Sequence, residues 1–119
     1  MDNYKFRVDF LEEAKEFLDG LDEKARDKIF YNIWKARSTN DKELFKKLQD
    51  EIWEFRTLFK KVYYRLFAFW DKTNNTNTVV ISTHGLVKKT DKISKSEIER
   101  AEKLREKYFN EKNRRYENI

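Results

Sequence analysis

Alternation and helical periodicity divide the chain into short elements. Tyr4 to Val8 alternates, with Tyr4, Phe6 and Val8 on one side, and predicts a strand. Asp9, with Glu12 three residues on, forms a capping box that opens a helix. Phe10, Leu11, Ala14, Phe17, Leu18 and Leu21 mark its apolar stripe, and Gly20 suits its C-terminal end. Asp22 opens a second helix with Ala25, Ile29, Ile33 and Trp34 inward, so the two read as a helical hairpin. Ser38 to Asp41 ends it, and Leu44 to Leu48 fits one more helical turn.

Strand periodicity then takes over. Trp53 to Leu58 reads as a strand, and Lys61 to Trp70 is a clearer one. The even positions of the second, Val62, Tyr64, Leu66, Ala68 and Trp70, are largely apolar and belong on the core. Its odd positions, Lys61, Tyr63, Arg65, Phe67 and Phe69, carry the charge. Asp71 to Asn77 is a polar turn, so Thr78 to His84 should return as an antiparallel hairpin. Ser94 with Glu97, or Ser96 with Glu99, caps a last helix. Ile98, Ala101, Leu104 or Arg105, and Tyr108 form its inner stripe.

This order predicts a small single α+β domain: an antiparallel sheet, an N-terminal helical hairpin and a C-terminal helix. Residues 1–109 form the domain and 110–119 a polar tail. With the helices mainly on one face, the other face is expected to be an open groove.

Composition narrows the function. The chain has 119 residues, 41% of them charged and 16% aromatic, so its core is small and aromatic rather than disordered. The net charge is +5, which favours a polyanionic partner, nucleic acid or an acidic protein. Cysteine is absent, which excludes disulfides, thiolate metal sites and cysteine nucleophiles. A single histidine excludes a His-rich zinc site, and two glycines argue against Gly-rich phosphate loops. No apolar run is long enough to span a bilayer and no signal-peptide core is present, so the chain reads as cytoplasmic.

The candidate chemistry is cationic. Arg56 and Arg65 fall on one sheet face, as does His84 in one register. Arg56 either pairs with Glu54 or another acid or grips phosphate. Arg65 lies mid-strand between Tyr63 and Phe67, where a guanidinium needs an anion, and its fork matches phosphate. His84 is either a hydrogen-bonded structural residue or a general acid or base. Lys88, Lys89 and Lys92 form either a solvated loop or a cluster that neutralises charge at phosphorus. Lys61 adds a phosphate contact. Tyr63, Phe67 and Phe69 either stack on unpaired bases or pack under a loop or partner. No carboxylate pair or Ser-His-Asp arrangement is legible.

Taken in order, several motifs resemble RelE/HigB-type toxins of type II toxin–antitoxin systems, in particular the phage-derived HigB-like branch. These are Phe10-Leu11, Lys47-Leu48, Ile52-Trp53-Glu54-Phe55-Arg56, Tyr64-Arg65-Leu66-Phe67, the run from His84 to Thr90, and Ile98-Glu99-Arg100-Ala101. The resemblance spans roughly residues 4–109. It implies a RelE-like fold and a ribonuclease, without metal or cofactor, that cuts mRNA in the ribosomal A site. There the ribose 2′-hydroxyl attacks the adjacent phosphate. By position, Arg56 would hold the phosphate and Arg65 the transition state. His84, or Lys88 and Lys89, would handle protons or the leaving group. Related toxins often carry a tyrosine or histidine near the last helix; Tyr108 is there, with its helical phase inward. The implied partners are mRNA, the ribosome and an antitoxin with a helix-turn-helix DNA-binding domain. Two other readings use the same residues: a ParE-like inhibitor of DNA gyrase without catalysis, and an inactive RNA-binding module.

Overall fold

A computed structural model describes residues 5–73, 78–88, 90 and 92–117. Tyr4, Lys89 and the 74–77 part of the expected turn lie outside the described residues. The elements run β1 (Arg7–Phe10), α1 (Glu12–Asp19), α2 (Glu23–Ser38), β2 (Phe45–Gln49), β3 (Ile52–Phe59), β4 (Val62–Asp71), β5 (Val79–Lys88) and α3 (Lys95–Glu117). The α+β class, the helical hairpin and the C-terminal helix are as the sequence predicts.

Five strands form one sheet in the order β1-β5-β4-β3-β2. All neighbours are antiparallel except β1 and β5, which pair parallel from Arg7↔Val79 to Phe10↔Ser82. The segment expected as a helical turn at Leu44–Leu48 is instead strand β2, paired with β3 from Phe45↔Phe55 to Gln49↔Ile52. Its apolar spacing fits either element, and pairing with an already extended neighbour decides it.

Both faces of the sheet are covered, not one. The α1–α2 hairpin packs Ala14, Leu18, Ile29, Ile33 and Ala36 against Phe55, Leu66, Ala68 and Val80. The even side of β4 thus meets the core, as alternation predicts. On the opposite face α3 lays Ala101, with Ile98, Tyr108 and Phe109 beside it, over Ile52, Phe67, Phe69 and Ile81. Ala101 is fully buried, and its small side chain lets the helix sit close to two phenylalanines. The open groove expected there is therefore filled along the Phe67–Phe69 half of β4. Helix α3 also runs on through Glu117, past Asn110.

Trp34, expected inward, stands on the outer side of α2 and is 46% exposed. Asn32 takes the inward place and donates from Nδ2 to Thr57 Oγ1 at 3.0 Å, so its buried amide is partnered. Two residues on, a full helical step of about 100° per residue carries Trp34 out of the stripe.

A polar latch fixes the far end of α3. Asp71, at the end of β4, accepts hydrogen bonds at Oδ2 from Tyr108 Oη (2.5 Å) and Lys112 Nζ (2.6 Å), and at Oδ1 from the Thr73 hydroxyl and amide. Burial works to raise the Asp71 pKa, but the donors from Lys112, Thr73 and Tyr108 together hold the carboxyl well below the usual range. Burial, and then the bond to Asp71, push the Tyr108 hydroxyl well above its usual pKa. Tyr108 points inward as its phase predicts, and what it meets there is the latch.

Candidate nucleic-acid interface

Cross-strand register places the predicted cations in rows. Arg56 faces Arg65, which faces Leu86 on β5; one row nearer the β3–β4 turn, Leu58 faces Tyr63, which faces Lys88. Directly opposed residues share a face, so all six lie on the α3 side of the sheet. The row on the other side of Arg56 is Glu54 opposite Phe67.

The two arginines end in different environments. Arg65 is 0% exposed, and its Nη1 donates to Glu54 Oε2 at 2.6 Å, with Glu54 equally sealed. Two such charges are tolerable inside a protein only as a pair. Arg56 is partly buried, its side chain 15% exposed, and its Nη2 donates at 2.6 Å to Glu43 Oε2 on a side chain that is 81% exposed. The Tyr63 ring lies between both guanidinium groups, 5.7 Å from that of Arg56 and 5.2 Å from that of Arg65. Such cation–π contacts hold the ring in place between them.

His84 owes its position to a β-bulge. Register shifts between Leu66↔Gly85 and Ala68↔Ser82, so Thr83 and His84 both stand opposite Phe67. The shift keeps His84 on the α3 face, stacked on the Phe67 ring at 4.8 Å. It turns Gly85 to the other face, where a Cβ would collide with the Phe17 ring of α1. His84 is buried, and both ring nitrogens are engaged, Nδ1 with Thr83 Oγ1 at 3.1 Å and Nε2 with Glu97 Oε2 at 2.9 Å. Burial lowers its pKa most, the bond to Glu97 opposes this, and nearby Arg100 adds to the lowering. His84 thus ties the bulge to the first turn of α3. Phe67 is also fully buried, so neither face of its ring is open to a base.

The rest of the predicted set divides simply. Lys61 is exposed in the β3–β4 turn, Tyr63 and Lys88 are half-buried in their shared row, and Lys92 is exposed ahead of α3. The structure therefore brings Arg56, Tyr63 and Lys88 together near the open end of the sheet and seals Arg65, His84 and Phe67 beneath it.

A groove of about 350 Å³ opens beside Arg56, lined by Lys28, Asn32, Lys35, Glu43, Leu44, Arg56, Leu58 and Tyr63. It exists because β2 pairs with β3 only as far as Phe55, and the Arg56 amide makes a last bond to the Leu44 carbonyl. Beyond that point no strand among the described residues covers the outer edge of β3. Lys28 and Lys35 of α2 come to this edge and add two cations that alternation alone does not reveal. Seven residues apart on one helix, they look in sequence like an ordinary solvated face. A second cleft, of about 380 Å³, has an apolar wall including Phe6, Phe45, Trp53 and Trp70, and none of the predicted cations reaches it.

Residues 16–106 match the family model described as "Phage derived protein Gp49-like (DUF891)". The chain belongs to the Gp49-like family. This is a toxin–antitoxin related family. No curated protein matches the chain. The matched span of this Gp49-like protein begins within α1 and ends within α3, so it takes in the groove, the arginine rows and the bulge. Among the described residues, no helix is long and apolar enough to cross a membrane.

Proposed function

We propose that this Gp49-like protein is the toxin of a type II toxin–antitoxin module and a RelE/HigB-type endonuclease that cuts mRNA in the ribosomal A site. The observation that carries the reading is the Arg56 groove. There a partly open guanidinium, two lysines and a tyrosine ring converge at an uncovered sheet edge. A fixed guanidinium fork suits a phosphodiester, and an exposed carboxylate already occupies it as a phosphate would.

In this scheme the ribose 2′-oxygen bonds to the adjacent phosphorus, and the bond from phosphorus to the 5′-oxygen breaks. The products are a 2′,3′-cyclic phosphate and a 5′-hydroxyl. Arg56 holds the phosphate in place of Glu43, while Lys28 and Lys35 offset the charge that grows on its oxygens. Arg65 is a positioning residue that supports Tyr63 from below. With His84 engaged on both nitrogens, Lys88 is the proposed proton-handling group, with Lys89 next to it in sequence. Lys61 and Lys92 flank the path of the RNA, and Tyr63 is the remaining stacking surface. The cognate partner is an antitoxin with a helix-turn-helix DNA-binding domain that masks this face.

The test is mRNA cleavage in a purified translation system, mapped by primer extension, with wild type beside Arg56→Ala and Arg56→Lys. Cuts at A-site codons that need ribosomes and fall about 10²–10³-fold in Arg56→Ala are expected. A second reading is favoured by the sealing of Arg65 and His84: a ParE-like toxin that inhibits gyrase without chemistry. Loss of supercoiling with no RNA cleavage by well-folded wild type would select it.

A further inference from the structure

The β3–β4 connection contains a conformation that its residues do not favour. Phe59 pairs with Val62, leaving a two-residue turn of Lys60 and Lys61, and both have positive φ, 50° and 67°. Two positive φ values define the type I′ turn, for which Asn-Gly is the preferred pair. Lysine is unsuited to this backbone region, and two adjacent ammonium groups repel each other as well. The neighbouring β2–β3 turn gives the contrast: its one positive φ, 52°, falls on Asp50, a residue type enriched there.

What the two lysines offer is charge at a defined place. Both are exposed, and no acidic partner is found for either among the described residues. The Lys60 ammonium lies 5.3 Å from the centre of the Phe59 ring. Behind the Phe59–Val62 pair is the row Leu58–Tyr63–Lys88, with Leu58 exposed, and the next row on that face holds Arg56. A chain of cations thus leads from the hairpin tip to the groove, beside an apolar side chain and an aromatic ring.

We propose that the Lys60–Lys61 turn is a phosphate-gripping tip for single-stranded RNA, retained against the turn's own preference for Asn-Gly. It rests on the reading of this protein as RNA-directed, in which Lys61 already flanks the RNA, and adds Lys60 and the turn itself as a second contact zone outside the Arg56 groove. RNA enters along Leu58 and Tyr63 with two of its phosphates on the tip.

The experiment compares wild type with Lys60→Asn/Lys61→Gly and Lys60→Arg/Lys61→Arg. Each is measured for thermal midpoint, ribosome-dependent cleavage and binding to a fluorescein-labelled single-stranded oligonucleotide. In that oligonucleotide 2′-deoxy residues prevent cleavage. The Asn-Gly variant should melt about 5 °C higher, since its turn is relaxed. Its binding should weaken tenfold or more, with the slope of log affinity against log salt shallower by about 1.4. The Arg-Arg variant should bind like wild type. A more stable Asn-Gly variant that binds and cleaves as wild type does would overturn the tip while leaving the nuclease reading intact. Wild type that neither binds nor cleaves RNA would overturn both.

Discussion

Two arginines on adjacent strands of this sheet make carboxylate pairs of equal length that differ in their access to solvent. Arg65 and Glu54 meet at 2.6 Å with both side chains sealed; Arg56 and Glu43 meet at 2.6 Å with the carboxylate almost wholly in water. In the first, each charge is the other's replacement for solvent, and neither can leave. In the second, the exposed carboxylate can leave for water, so another anion can exchange with it on the guanidinium. At equal distance, solvent access separates a charge locked in its pair from one that can exchange its partner.

The largest expected effect comes from breaking the sealed pair. Glu54→Ala leaves a buried guanidinium without its carboxylate and should destabilise the fold by about 3–5 kcal/mol, read from urea unfolding. Arg65→Ala should do similar damage. Loss of activity in either variant would therefore report on folding first, which is why Arg56 is the better probe of chemistry. Exchanging both partners for apolar residues of similar volume should recover most of the stability. If Glu54→Ala leaves the unfolding midpoint unchanged, the contrast between the two pairs collapses.

Next in size is Arg56→Ala. It should remove about 10²–10³ in cleavage rate while changing stability by less than about 1 kcal/mol, because its partner is exposed. Equal loss of stability and activity would place Arg56 with Arg65 rather than apart from it.

A smaller effect concerns pH. His84 lies on the sealed side, in the same row as Glu54 with Phe67 between them, and its pKa is lowered mainly by burial. The unfolded chain then binds a proton at higher pH than the folded chain does. Stability from this group is present above the ordinary histidine pKa and is lost as pH falls through it toward the lower folded value. The melting midpoint should drop between pH 7.5 and 5, and His84→Asn should flatten that drop. A midpoint that rises on acidification would show that the bond to Glu97 outweighs burial.

The fold was legible where periodicity was local. The alternation of Lys61 to Trp70 and, Trp34 apart, the stripes of the hairpin needed no partner to be read. What escaped was set by distant contacts: β2, whose spacing suits helix or strand; the parallel pairing of β1 with β5; and the cover of α3 over Phe67 and Phe69. The site shows the same division. Arg56 and Arg65 fall on one face as alternation predicts, but only the strand register and α3 decide which is sealed. The sequence offers Arg56 either Glu54 or another acid as a partner; Glu54 pairs with Arg65, and Arg56 pairs with Glu43 from the segment before β2. Lys28 and Lys35 were invisible because their approach to Arg56 is purely tertiary.

The smallest effect tests the exchange itself. Glu43 stands on the guanidinium where the phosphate is proposed to bind, so RNA must displace it. Glu43→Gln keeps the shape of the side chain and removes its charge. An exposed pair contributes about 0–1 kcal/mol, so the melting midpoint should barely move. Removing a competing anion of that strength should tighten RNA binding by up to about fivefold, a factor equivalent to about 1 kcal/mol. The gain should shrink at high salt, since screening already weakens the carboxylate there. Unchanged affinity at low salt would mean that Glu43 and RNA do not compete, and that Arg56 meets no phosphate.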